Sequence, residues 1–106
     1  MECFQKKYLR GLAHSLKPVV LIGQKGLTDD LLKSAEQAFQ SHELIKVKFN
    51  DFKEKEQKEQ ISSVLVKKTG SELVGSVGHI YIFFKQHNDP EKRRIQLPQR
   101  EVMSES

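Results

Sequence analysis

The pattern of apolar residues along these 106 positions predicts an α/β fold, an αβαβαββ two-layer sandwich with a small mixed sheet. Three observations carry that expectation. Three segments repeat their apolar residues at helical spacing. Residues 44–50 alternate as a half-buried strand does, and residues 72–77 and 79–85 lie so close together that only a tight turn can join them.

Residues 4–17 form the first element. At about 100° per residue, Tyr8, Leu9, Leu12, Ala13 and Leu16 fall on one side of a helix and Lys6, Lys7, Arg10, His14 and Lys17 on the other. The helix therefore carries one apolar and one basic stripe. Pro18 ends it, because a proline pushes the preceding residue out of the helical region. Residues 19–22, Val-Val-Leu-Ile, read as a short strand buried on both faces. Gly23-Gln24-Lys25-Gly26 turns the chain into a second helix, in which Leu27, Leu31, Leu32, Ala35, Ala38 and Phe39 have helical spacing and Thr28 is the N-cap. Along residues 44–50, Ile45, Val47 and Phe49 share one face and Leu44, Lys46 and Lys48 the other. A third helix spans about residues 53–69. Its apolar residues Ile61, Val64 and Leu65 lie only in the second half, so the first half should stand in solvent, and Gly70 supplies the stop. The last two strands are antiparallel neighbours turning near Gly78, and the chain from Gln86 onward is loop-like.

With 37% hydrophobic and 30% charged residues, the chain can bury a modest core but not a large catalytic cavity, and its length admits one domain. The longest apolar runs, residues 19–22 and 80–84, fall far short of the ~20 residues that span a bilayer. Lys6, Lys7 and Arg10 interrupt what would have to be the apolar stretch of a secretory signal. Cys3 is the single cysteine, which excludes an internal disulfide and a multi-cysteine metal site. A cytoplasmic protein without a membrane partner is expected. The formal net charge is +4, and residues 1–26 hold five basic residues (Lys6, Lys7, Arg10, Lys17 and Lys25) against Glu2 alone. The whole excess thus lies at one end of the sequence, the footprint of a polyanion-binding surface, with nucleic acid as the leading partner.

Catalysis has little to stand on. Cys3 and the four histidines, His14, His42, His79 and His87, are scattered without a carboxylate at suggestive spacing. No two histidines lie four apart on a helix, and Asp29 and Asp30 are better read as favourable charges in a helix first turn than as metal ligands. No enzyme, metal or cofactor is expected. The Gly23–Gly26 loop is the stronger candidate. Its glycines let a sugar-phosphate chain approach the backbone, the following helix offers N–H donors, and Lys25 adds a charge, although the loop is too short for a Walker A motif. A plain strand-to-helix turn is the alternative, and Asp29 and Asp30 would repel phosphate. Two further candidate surfaces are the sheet face, where Lys46 and Lys48 would stand beside Tyr81 and Phe83 if helices cover one side only, and the tail, where Lys92, Arg93 and Arg94 adjoin Ile95 and Leu97. The two rings are expected to be core.

The segments Tyr8-Leu9-Arg10-Gly11-Leu12-Ala13-His14-Ser15-Leu16-Lys17-Pro18-Val19-Val20, Ile22-Gly23-Gln24-Lys25-Gly26-Leu27-Thr28 and His42-Glu43-Leu44-Ile45-Lys46-Val47-Lys48 resemble the YhbY-like proteins. These are stand-alone CRM domains, the module of chloroplast RNA splicing and ribosome maturation. The resemblance runs from about Gln5 to Pro98 and includes Val77-Gly78-His79-Ile80-Tyr81-Ile82 and Ile95-Gln96-Leu97-Pro98. It implies a four-stranded mixed sheet similar to that of the C-terminal domain of translation initiation factor three, within a CRM-type domain over residues 1–98 followed by a flexible tail, 99–106. It also implies RNA binding through the GxxG loop, which parallels the KH-domain loop, and association with precursors of the large ribosomal subunit. In this loop lysine stands third, as Lys25, and Gln24 second, where the family pattern has lysine second. The expected interface is Lys6, Lys7, Arg10, His14, Lys17, Gly23, Gln24, Lys25 and Gly26, on a protein that is monomeric when free. The competing expectation is a protein-interaction adaptor using the charged third helix and the tail.

Overall fold

The structure, a computed structural model, describes residues 1–50 and 54–98. Its elements follow the predicted order: α1 (Cys3–Ala13), β1 (Val20–Ile22), α2 (Asp29–Ser41), β2 (Leu44–Phe49), α3 (Lys55–Thr69), β3 (Glu72–Val77), β4 (Ile80–Phe84) and a 3-10 turn at Pro90–Lys92. The four strands make one mixed sheet in the order β1-β2-β4-β3, with β1 parallel to β2 and the other pairs antiparallel. The expected tail at 99–106 and Lys53 lie outside the described residues.

The alternation in β2 decides which side chains face which layer. Ile45 and Val47 pair with Phe83 and Tyr81. With Val20, Ile22 and Phe49 they form the main core, closed by Ala35 and Phe39 of α2 and Leu65 of α3. Phe49 meets Tyr81 edge to face, with ring centroids 5.3 Å apart, an arrangement that suits the ring quadrupoles. The opposite face carries Leu44, Val74, Ile82 and Phe84 and receives Leu9 and Ala13 of α1, with Ile95 and Leu97 packed at its margin. The sheet and its α2–α3 cover are the two expected layers; α1 adds a third, partial one on the other side.

Several local expectations change. α1 stops at Ala13, not near Lys17, and His14 is its C-cap. The Lys46 ammonium takes over the exposed carbonyls, lying 2.9 Å from Leu16 O and 3.4 Å from His14 O, so the chain turns early and Val19 N–H reaches Lys46 O at 3.0 Å. β1 is an edge strand whose Val20 and Ile22 are buried on one face while Leu21, on the other, stays 50% exposed. In α3, Val64 is exposed while Lys58, in the half expected to stand in solvent, is buried. Its Nζ lies 3.3 Å from His79 Nδ1 and 6.0 Å from the centre of the Tyr81 ring, a site where a cation meets a π face. Thr28 caps α2 as expected, its Oγ1 accepting from Leu31 N–H at 3.2 Å. Gly70 ends α3 in the left-handed conformation.

Beyond β4 the Glu43 side chain ties the chain back to the start of β2, beside the packing of Ile95 and Leu97. The Glu43 carboxylate accepts N–H bonds from His87 (2.8 Å), Arg94 (2.8 Å) and Ile95 (2.9 Å). Burial alone would raise its pKa. The three backbone donors, together with the charge of His87, outweigh that and hold the carboxyl below its ordinary value.

Candidate nucleic-acid interface

The predicted residues fall into three groups. Lys6, Lys7 and Arg10 stand on α1, Lys6 half-buried and the other two exposed. His14 and Lys17, expected on the same helical stripe, are exposed on the connector that leads to β1. The Gly23–Gly26 loop follows β1 directly and is closed by a 3.0 Å bond from Gly26 N–H to Gly23 O. Gln24 and Lys25 are its exposed residues. The positive φ, 74°, belongs to Gly26, so the conformational demand on glycine falls there. Asp29 and Asp30 occupy the first turn of α2, and Leu31 and Thr28 complete the wall of a shallow hollow at the loop.

Arg10 is less free than its stripe suggested. The register of β3 on β4 shifts between Leu73 and Gly75, a bulge that leaves a strand carbonyl outside the ladder, and Arg10 Nη1 donates to Val74 O at 3.1 Å. Its aliphatic stem lies on Gly75, where a Cβ would collide with Arg10 Cδ. The guanidinium is thereby fixed over the sheet. It retains other N–H donors that a phosphate can use.

The sheet-face expectation is corrected in one respect. Lys46 pairs with Ile82 and Lys48 with Ile80, so both lysines share the α1 side of the sheet. Tyr81 and Phe83, 4% and 0% exposed, point the other way into the main core, as expected for core rings. An alternating strand cannot put both sets on one face. Burial and the charge of Glu59 also push the Tyr81 hydroxyl above its ordinary pKa, so it stays protonated. The basic tail residues Lys92, Arg93 and Arg94 are exposed at the opposite end of β2 from the loop, because Glu43 holds them beside Leu44 whereas the loop adjoins Ile22, the partner of Phe49.

Two features were missed. Lys58 and His79 stand at the loop end of the sheet: Ile61, one turn along α3 from Lys58, would be 3.8 Å from a Cβ on Gly26, and His79 O accepts from Phe49 N–H at 2.9 Å. Only the i, i+3 spacing of Lys58 and Ile61 hinted at it. The exposure of Leu21, expected to be buried with the rest of β1, and of Val77 is the second, since strand residues of that type are normally core. Among the described residues no group of three His, Cys, Asp or Glu side chains is placed to hold a metal ion, and no helix is long and apolar enough to cross a membrane.

The family model described as the CRS1 / YhbY (CRM) domain matches residues 1–85. An "RNA-binding protein" of Haemophilus influenzae is 41% identical over 96 residues, covering 91% of this chain and 93% of its own. The "Probable RNA-binding protein YqeI" of Bacillus subtilis is 35% identical over 94 residues, or 89% of this chain and 95% of its own. The solution structure of a hypothetical protein of Staphylococcus aureus superposes with a TM-score of 0.75 at 30% identity, over 92% of this chain and 99% of that one.

Proposed function

The chain belongs to the CRS1 / YhbY (CRM) domain family, and from that premise we propose that it is a non-catalytic, cytoplasmic RNA-binding protein that engages ribosomal RNA in precursors of the large ribosomal subunit during assembly. The observation that carries the RNA-binding reading is the set of basic groups on α1, on the connector with His14 and Lys17, and on the Gly23–Gly26 loop, which the short apolar strand β1 joins to the connector. The relatives named as RNA-binding proteins support it. The choice of ribosomal RNA rests on the resemblance to YhbY-like domains. Phosphates are met by Lys6, Lys7, Lys17 and Lys25 and by the backbone of the loop, contacts that supply affinity without reading sequence.

Crosslinking in cells followed by sequencing of the bound RNA tests both levels. Reads concentrated in large-subunit precursor RNA are the expected result. Reads spread over messenger and small-subunit RNA would reject the assembly role while keeping RNA binding, and purified protein free of nucleic acid before any high-salt wash, with no affinity for added RNA, would reject RNA binding itself.

A further inference from the structure

The strand register sets Leu21 beside Lys48, Lys48 beside Ile80, and Ile80 beside Val77, one row across all four strands on the α1 side of the sheet. The next row along, Lys46, Ile82 and Gly75, is occupied: the Lys46 ammonium holds the connector and the stem of Arg10 covers Gly75. Two residues further along each strand, roughly 7 Å away, the first row lies beyond that cover. Leu21 is 50% and Val77 68% exposed, and Ile80 is half-buried. On its far side the row is bounded by Gly23, two residues after Leu21, and by the Gly78–His79 turn.

The row is therefore an aliphatic strip, Leu21, Ile80 and Val77, in which Lys48 stands between Leu21 and Ile80, lying between Arg10 on one side and the Gly23–Gly26 loop on the other. A ligand fitting it must show flat apolar surface with negative charge at its margin, where Lys48 and the loop can meet it. Unpaired nucleotides do so. A duplex keeps its bases stacked inside and presents mainly phosphate and sugar, which leaves Leu21, Ile80 and Val77 without a partner. Building on the RNA-binding reading above, we infer that the row Leu21, Lys48, Ile80 and Val77 is the floor on which unpaired bases of the bound RNA lie, so that the protein selects single-stranded segments. The phosphates on either side of those bases go to Lys48 and to the loop.

The test compares a fluorescent 12-nucleotide single-stranded RNA of mixed sequence with a 12-base-pair RNA duplex, using the full chain, the double variant Leu21→Ser/Val77→Ser, and Lys48→Gln. The parent should prefer the single strand by about tenfold or more. Removing two exposed apolar contacts should weaken single-strand binding roughly tenfold, leave duplex binding and thermal melting unchanged, and leave the salt dependence unchanged because no charge is lost. Lys48→Gln should weaken binding and make the log–log salt slope shallower by about 0.7, the value of one phosphate contact on a single strand. Single-strand affinity of the double variant equal to the parent's, or equal affinity of the parent for single strand and duplex, would overturn the inference while sparing RNA binding. A parent that binds neither RNA would overturn the functional reading on which the inference rests.

Discussion

Gly26 shows how a backbone demand differs from a spatial one. A Cβ there would meet Ile61 Cδ1 at 3.8 Å, an ordinary contact, but the φ of 74° lies in a region that costs an L side chain about 1–2 kcal/mol. Gly26→Ala should fold with a stability loss of about that size. Gly26→Asp should in addition set a negative charge beside Asp29 and Asp30 where phosphate passes, and weaken RNA binding more than Lys25→Ala. The lysine change removes one exposed contact worth roughly 1.5 kcal/mol or less after screening. RNA titrations on variants that keep the parent's circular dichroism rank the two, and a Gly26→Asp curve overlaying the parent's would leave the loop as a plain turn. In the main core the effect is of another size: Phe83, fully buried, should cost about 3–5 kcal/mol on truncation to Ala, measured by denaturant unfolding. The rings and the glycines were legible because residue type alone constrains them. Arg10 was not, because its partner is the Val74 carbonyl of a bulge, and no periodicity announces a bulge.

At the scale of elements, α1 illustrates what helical spacing can hide. Leu12 and Leu16 continue the apolar period, yet both are exposed, and the helix ends where the Lys46 ammonium can bind the carbonyls of His14 and Leu16. A partner 30 residues away in sequence decides the boundary. The segment after β4 likewise owes its placement to a distant group, Glu43. Its lowered carboxyl pKa means that Glu43 contributes fully above the ordinary carboxylate value, where it is ionised in both the folded and the unfolded chain. As the pH falls below that value the unfolded carboxyl protonates first, so the contribution fades and is gone below the lowered folded value. Glu43→Gln should therefore cost about 2 kcal/mol near neutrality, and the difference in stability between variant and parent should shrink as the pH is lowered from about 6 to about 3. A difference that stays constant across that range would show that the hydrogen bonds do not depend on the charge.

Across the whole molecule, the net charge of +4 resides in the first 26 residues, and the fold gathers them on α1, the connector and the loop. Four to five phosphate contacts at about 0.7 each give a log–log salt slope of roughly −3 on single-stranded RNA. Binding that is flat between low and physiological salt would place the interface elsewhere. The order of elements, the sheet and the charge asymmetry could all be read from sequence, since each is a local or additive property. The layering could not: an apolar stripe says that a helix buries one side, not which of two sheet faces receives it. That placement has a consequence for the timing of synthesis. Arg10 bonds to Val74, 64 residues later, and Gln5 to Pro98, 93 residues later, while Leu9 and Ala13 rest on Val74, Ile82 and Phe84. At about 5–20 residues per second the first helix made must wait several seconds for the last strands, with its apolar side uncovered. Its docking comes late in folding, and a chain interrupted before β4 lacks Ile82 and Phe84, and with them the strand that joins Val74 of β3 to Leu44 of β2 beneath Leu9.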